Sequence, residues 1–231
     1  MISTDQHRFA CTAAIIDLDG TLVDTLGDFC AALDATFAEL ALPRLDRTEV
    51  ERMIGKGSEH LIRSALAAVG GSPALYEPAW EAYQRVYRSL NGQHATLDPG
   101  AAEALQALRD AGLRLACLTN KPTEFAKALL LAKGLDRQFD FVFGGDAFER
   151  KKPDPLPLLR TCEALQSKPA STLVIGDSSN DAQAARAAGC PVLLVTYGYN
   201  HGQPVSEVDA DGTIDALPQA LAWLAARRGA A

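Results

Sequence analysis

The chain has 231 residues, 48% of them hydrophobic, and a formal net charge of −7, which allows one full core and a smaller accessory domain and disfavours nucleic acid or anionic membrane as a general partner. Its five cysteines, Cys11, Cys30, Cys117, Cys162 and Cys190, are scattered and odd in number, so no disulfide framework or zinc knuckle is indicated. With Asp5, His7 and Arg8 ahead of Phe9 and no run approaching about 18 apolar residues, the expected location is cytoplasmic.

The first predicted element is a strand at Ala13–Ile16, which runs into Asp17-Leu18-Asp19-Gly20-Thr21. Side chains at i and i+2 of an extended chain point the same way, so Asp17 and Asp19 can reach one small space. Gly20 admits backbone conformations closed to other residues, and Thr21 offers a hydroxyl and an N–H where a helix could begin. From about Leu26 to Ala95 the periodicity is helical. Phe29, Leu33, Phe37 and Leu40 share a face, followed by Leu61, Ile62, Leu66 and Val69, then Trp80, Tyr83 and Tyr87. The aromatic stripe reads as helix-bundle core, and Gly70-Gly71-Ser72-Pro73 as an internal turn.

Beyond this insertion, helices predicted at 99–111, 122–133, 154–166, 180–188 and 216–227 alternate with strands at Leu113–Leu118, Phe141–Phe143, Thr172–Ile175 and Val192–Val195. Pro99 and Pro122 suit first helical turns, and Gly112, Gly134 and Gly189 sit where helices should stop. The alternation predicts an α/β fold: a parallel sheet with helices on both faces and an inserted all-helical domain. In such sheets ligands bind beyond the carboxyl ends of the strands. There the sequence places Asp17 and Asp19, then Thr119, Asn120 and Lys121, then Gly176-Asp177-Ser178-Ser179-Asn180-Asp181, with Lys151 and Lys152 ahead of a Pro-Asp-Pro helix start. Lys151 reads as a surface residue, and Cys117 and Cys190 as core thiols.

These residues resemble the haloacid dehalogenase superfamily of Mg²⁺-dependent phosphotransferases, over essentially the whole chain. Asp17-Leu18-Asp19-Gly20-Thr21 is similar to its first motif, Thr119 to the threonine of the second, Lys152 to the lysine of the third, and Asp177 with Asp181 to the acids of the fourth. The resemblance implies a Rossmann-like core at 1–25 and 96–231 and a helical cap at 26–95. It implies catalytic roles for Asp17, Asp19, Thr119 and Lys152, and phosphate binding at Gly20, Thr21, Asn120 and Ser178. Mg²⁺ would be held by Asp17, Asp177 and the Asp19 carbonyl, and by Asp181 directly or through water.

A phosphate dianion repels a carboxylate nucleophile, so attack needs a cation to neutralise both. Asp17 would form an aspartyl-phosphate, dividing hydrolysis into two transfers. Asp19 would protonate the departing ester oxygen and then act as base on water. Substrate choice should come from the cap, where Gly55-Lys56-Gly57 forms a cationic loop near Arg52, His60 and Arg63. Its spacing is not that of a nucleotide-binding loop. Lys56 either meets an anionic group on the leaving half of the substrate or is a plain surface lysine.

Leu22-Val23-Asp24-Thr25, the fourth-motif run and Thr196-Tyr197-Gly198-Tyr199-Asn200 are similar to bacterial phosphoglycolate phosphatases. That implies a small-molecule phosphomonoester substrate, 2-phosphoglycolate first, for a monomer or homodimer. Tyr197, Tyr199 and His201 otherwise read as a loop beside the site. A dehalogenase has no need of Asp19, and a phosphonate hydrolase typically lacks an acid there. Phosphatases of other small or sugar phosphates, and a phosphomutase, use the same acids. A non-catalytic binding member could dispense with Asp17, Asp19, Lys152 or Asp177, and none is missing.

Overall fold

The computed structural model describes residues 11–229. The N-terminal reading from Asp5, His7, Arg8 and Phe9 lies outside the described residues. In chain order the elements are β1 (Ala13–Ile16), β2 (Val23–Asp24), α1 (Leu26–Glu39), α2 (Arg47–Met53), α3 (Ser58–Ala68), α4 (Tyr76–Leu90) and β3 (Thr96–Leu97). Then follow α5 (Ala101–Asp110), β4 (Arg114–Leu118), α6 (Thr123–Ala132), β5 (Phe141–Phe143), α7 (Leu156–Ala164), β6 (Thr172–Gly176), α8 (Ser179–Ala188), β7 (Val192–Val195), β8 (Gly212–Ile214) and α9 (Gln219–Gly229).

The main sheet has the order β5-β4-β1-β6-β7-β8, with every pairing parallel. Alternation along the strands supplies two cores, since successive side chains face opposite sides. Ala14, Ile16, Leu115, Cys117, Leu173 and Ile175 pack with α5, α6 and α9. Ala13, Ile15, Ala116, Leu118 and Val174 pack on the other face with α7 and α8. The sheet is thus an α/β layer covered on both sides. Its register pairs Ile16 with Cys117 and with Ile175, so Asp17, Thr119 and Asp177 emerge at one edge.

Helices α1–α4 bury their own cluster, which includes Phe29, Leu33, Phe37, Ile62, Tyr83 and Tyr87. Phe125 of α6 and Tyr199, from the loop after β7, complete it. The aromatic stripe is therefore bundle core. Among the described residues no helix is long and apolar enough to cross a membrane.

Several local expectations shift. No helix starts at Thr21: the turn closes on the Leu18 carbonyl, which accepts from Leu22 N and Val23 N at 3.0 and 3.1 Å, and the chain enters β2. β2 pairs antiparallel with β3, and β8 adds an edge strand; all three are too short to show a period. Pro99 precedes Gly100, whose φ of +82° ends the turn before α5, and Pro122 stands just ahead of α6. Gly112, Gly134 and Gly189 do end helices with positive φ, where no side chain opposes the left-handed conformation.

Candidate active site

Asp17 leaves β1 with its N–H donated to the Ile175 carbonyl (2.9 Å), so sheet hydrogen bonding fixes its backbone. Two residues on, Asp19 and Asp17 are both about nine-tenths buried, and both line the same cleft. Between Asp19 and Thr21, Gly20 has φ +79°, and a Cβ there would lie 2.3 Å from Asp177 Oδ2. Only a residue without a side chain lets the first loop approach Asp177 so closely. Gly198 is under a similar constraint: its Cβ would lie 2.2 Å from that of Asp177.

Opposite, Asp177 follows β6 and α8 starts at Ser179. Asp181, in the first turn of α8, reaches back so that its Oδ2 accepts from Ser178 Oγ (2.8 Å), Ser178 N (3.2 Å) and Asp177 N (3.4 Å). This reciprocal capping satisfies helix-end donors that otherwise lack partners. Tyr199 N donates to Asp177 Oδ2 at 2.6 Å. Ser178 therefore serves the helix start and orients Asp181.

Lys152 is buried between the two acid groups. Its ammonium donates to Leu118 O (2.9 Å) and Asp181 Oδ1 (2.6 Å), and lies 3.1 Å from Asp17 Oδ1. Burial alone would lower its pKa, but the charges of Asp17 and Asp181 outweigh that and hold it protonated. One ammonium does not balance three acids. Burial pushes the Asp17 carboxyl up, Lys152 pulls it back and Asp181 raises it again, leaving it at about 7. Asp177 is raised well above the usual carboxylate range by burial and by the charges of Asp181 and Asp17.

Oxygens of Asp17, Asp177 and Asp181 lie within 4.8 Å of one another. Asp17 Oδ1 is buried without a well-aligned hydrogen bond, its partner being the Lys152 ammonium at 3.1 Å, which Asp181 shares, so the oxygen keeps capacity for a second cation. An all-oxygen donor set with surplus negative charge fits a hard divalent cation.

Thr119 follows β4, its N–H on Phe143 O (3.1 Å) and its hydroxyl accepting from Lys121 N (3.3 Å). Asn120 clasps two segments: Nδ2 donates to Lys152 O and Gly55 O, both at 2.9 Å, while Oδ1 accepts from Lys152 N at 3.0 Å. Its side chain thus positions Lys152 and the Gly55 loop. Thr21 is fully buried, and its hydroxyl has no partner among the described residues. Lys56 is exposed and does not line the cleft, although its neighbours Gly55 and Gly57 do.

Two participants escaped sequence reasoning. Lys121 is buried, with Nζ 2.9 Å from Asp19 Oδ1 and 2.6 Å from the Tyr87 hydroxyl. Its position beside Thr119 and Asn120 at a strand end was the available signal. Tyr199 orients Asp177 through its N–H, and its hydroxyl contacts Asp24 Oδ1 while accepting from Thr25 N (2.9 Å) and Leu26 N (3.1 Å). His201 lies 3.2 Å from Asn180 Nδ2, its imidazole pKa pushed down by burial and by Lys56.

From the sheet side the cleft is lined by Asp17, Asp19, Thr119, Asn120 and Lys121, and from the helical side by Phe29, Ile54, Gly55, Gly57, Ser58 and Leu61. Its free volume is about 20 Å³. The arrangement supplies a carboxylate within an acid cluster that could hold a cation, a second carboxylate on the same cleft held by its own ammonium, and hydroxyl and amide groups between them.

A family model for haloacid dehalogenase-like hydrolases matches residues 11–189. The chain is 43% identical over 211 residues to a phosphoglycolate phosphatase of Thiobacillus denitrificans, covering 90% of this chain and 93% of that one. It is 44% identical, with the same coverage, to a phosphoglycolate phosphatase of Nitrosospira multiformis. Among solved structures it is similar to that of a predicted phosphoglycolate phosphatase from Haemophilus somnus 129pt, with a TM-score of 0.89 and 30% identity over 92% of this chain and 97% of that one. Match, coverage and the strand-end constellation agree: the chain belongs to the haloacid dehalogenase-like hydrolase family.

Proposed function

We propose that the chain is a Mg²⁺-dependent cytoplasmic phosphatase of small phosphomonoesters, with 2-phosphoglycolate as substrate, residues 1–25 and 96–231 forming the catalytic core and residues 26–95 the cap. The observation that carries this reading is the division of labour between two acids on one cleft. Asp17 belongs to the three-carboxylate cluster, whereas Asp19 pairs with Lys121. Phosphoglycolate phosphatases spanning nearly the whole chain support the substrate, and so does the small cleft.

Asp17, Asp177 and the Asp19 carbonyl would hold Mg²⁺, which supplies charge neutralisation for a dianionic ester. Asp181 has both oxygens engaged, on Lys152 and on the Asp177–Ser178 turn, which suits contact through a water. A carboxylate oxygen of Asp17 attacks phosphorus while the P–O bond to the alcohol breaks. Asp19 enters this step as the carboxylic acid and delivers its proton to that leaving oxygen, and the ion pair with Lys121 is the form it takes after the transfer. Asp19, now ionised, takes a proton from water as the water oxygen attacks phosphorus, and the Asp17–phosphorus bond breaks to release phosphate. Thr119 and the Asn120 amide hold the phosphoryl oxygens, whereas the Gly20 and Thr21 amides, expected to share that task, are taken within the turn by Val23 O (2.9 Å) and Leu18 O (3.3 Å). Lys152 keeps Asp17 and Asp181 from repelling one another.

Purified protein should release phosphate from 2-phosphoglycolate with Mg²⁺ and lose activity with chelator. Asp17→Asn should lower kcat by at least about 10³-fold, as expected when a nucleophile is removed. Turnover without any divalent cation would overturn the mechanism. Interconversion of glucose 1-phosphate without net phosphate release would overturn the hydrolase assignment.

A further inference from the structure

Lys121 is the charged side chain of the cleft that the reaction above leaves without a task. It belongs to the strand-end cluster, yet its head lies among cap side chains, with Nζ 4.5 Å from the Phe29 ring centre and 4.8 Å from that of Tyr87. The side chain is 2% exposed. A lysine ammonium has three protons. One is directed to Asp19 Oδ1 (2.9 Å) and one to the Tyr87 hydroxyl (2.6 Å), which leaves a donor for a ligand. A desolvated ammonium is costly to keep in a cleft unless anions satisfy it, and Lys121 is the only cationic side chain among the described residues lining this one.

Its place is specific in chemical terms. Asp19 is the group that protonates the ester oxygen, so the ester oxygen must come within a hydrogen bond of Asp19. In an ester of a 2-hydroxy acid, one carbon separates that oxygen from the carboxylate, whose oxygens therefore lie about 3 Å from it. That matches the 2.9 Å between Lys121 Nζ and Asp19 Oδ1. Phe29, Ile54 and Leu61 make the cap side largely apolar, with Ser58 its one hydroxyl-bearing side chain among the described lining residues, a poor match to a polyhydroxylated leaving group. Lys56, the cation of the Gly55–Gly57 loop, is exposed.

We infer that Lys121 receives the carboxylate of the leaving group, so that the cleft selects phosphate esters of 2-hydroxycarboxylic acids. The inference rests on the phosphatase reading and adds the residue that reads the leaving group. Phosphate recognition is left to the strand-end motifs, and the discrimination comes from a core lysine whose conformation the cap's aromatic rings fix.

The test compares 2-phosphoglycolate with ethyl phosphate, in which a methyl group replaces the carboxylate. With Mg²⁺ the unmodified chain should favour 2-phosphoglycolate in kcat/KM by about 100-fold or more, the scale set by an unpaired buried polar group. In Lys121→Met that ratio should collapse to within about threefold, chiefly through KM, and Lys121→Arg should recover part of it. A ratio unchanged in Lys121→Met, with both esters equally slowed, would overturn the inference and make Lys121 a positioning residue for Asp19.

A second measurement needs no variant: the methyl ester of 2-phosphoglycolate, uncharged at the carboxyl end, should be turned over at least about 30-fold less efficiently than the acid. Equal turnover would defeat the inference. Failure to hydrolyse any of these esters would instead sink the phosphatase reading itself.

Discussion

At the residue scale, burial decides what each carboxylate can do. Asp98, next to the β2–β3 pair, illustrates this outside the metal cluster. Its carboxyl is raised to about 6 by burial, against the lowering influence of the nearby Tyr197 hydroxyl and with a further push from Asp24. The sign follows from linkage: a folded-state pKa above the unfolded one means that the native state binds the proton more tightly. Stability from this group is therefore fullest below the unfolded pKa of about 4 and is lost as pH rises to about 6. Asp98→Asn should abolish that loss. Comparing urea midpoints at about pH 4.5 and pH 7.5, the variant should gain roughly 1 kcal/mol on the parent at the higher pH, a figure reduced for the half-exposed position. A constant difference between the two pH values would exclude Asp98 as the source.

At the element scale, the two chain crossings between sheet and inserted helices run side by side as β2 and β3, with Val23 opposite Leu97 and Asp24 opposite Thr96. Two buried polar groups tie this ribbon down. Asp28 of α1 accepts from Gly92 N (2.6 Å) and His94 N (2.7 Å), and the Tyr199 hydroxyl accepts from Thr25 N and Leu26 N and contacts Asp24. Tyr199→Phe leaves the Thr25 amide without its phenolic partner, while Leu26 N keeps Asp24 Oδ1 at 3.0 Å, and should cost about 1–3 kcal/mol in denaturant unfolding. The same substitution should speed hydrogen exchange at Thr25 and Leu26 before it affects the sheet. Unchanged exchange there would show that the clasp does not hold the crossing. The strands and helices of the sheet layer were legible because each long apolar run carries its own period. The ribbon was not, because pairs such as Val23 and Leu97 are 74 positions apart and two-residue strands carry no period.

For the whole molecule, the cleft lies between the sheet edge and the helical part and is narrow, with a cavity volume of about 20 Å³. We propose that substrate entry requires the helical part to swing about 24–27 and 94–98, as gating motions commonly do. Exposed ion pairs across the seam, Arg88–Glu124 and Lys151–Glu59, contribute little each and would permit such movement. The acid cluster should couple metal to global stability: Mg²⁺ at about a hundred times its dissociation constant should raise Tm by roughly 5–10 °C. Asp177→Asn should remove that shift, and a full shift in the variant would place the cation elsewhere.

The sequence alone determined the α/β layer order, the helical insertion and the strand-end residues from Asp17 to Asp181, because local periodicity, turn chemistry and i, i+2 spacing are written along the chain. Only the tertiary structure decided what those residues touch. Lys121 meets Asp19 across 102 positions and Tyr199 meets Asp24 across 175, and Asn120 spends its side chain on the backbones of Lys152 and Gly55. Such contacts depend on how strand ends converge and how the helices close over them, and that is a property of packing in three dimensions, which no window of sequence contains.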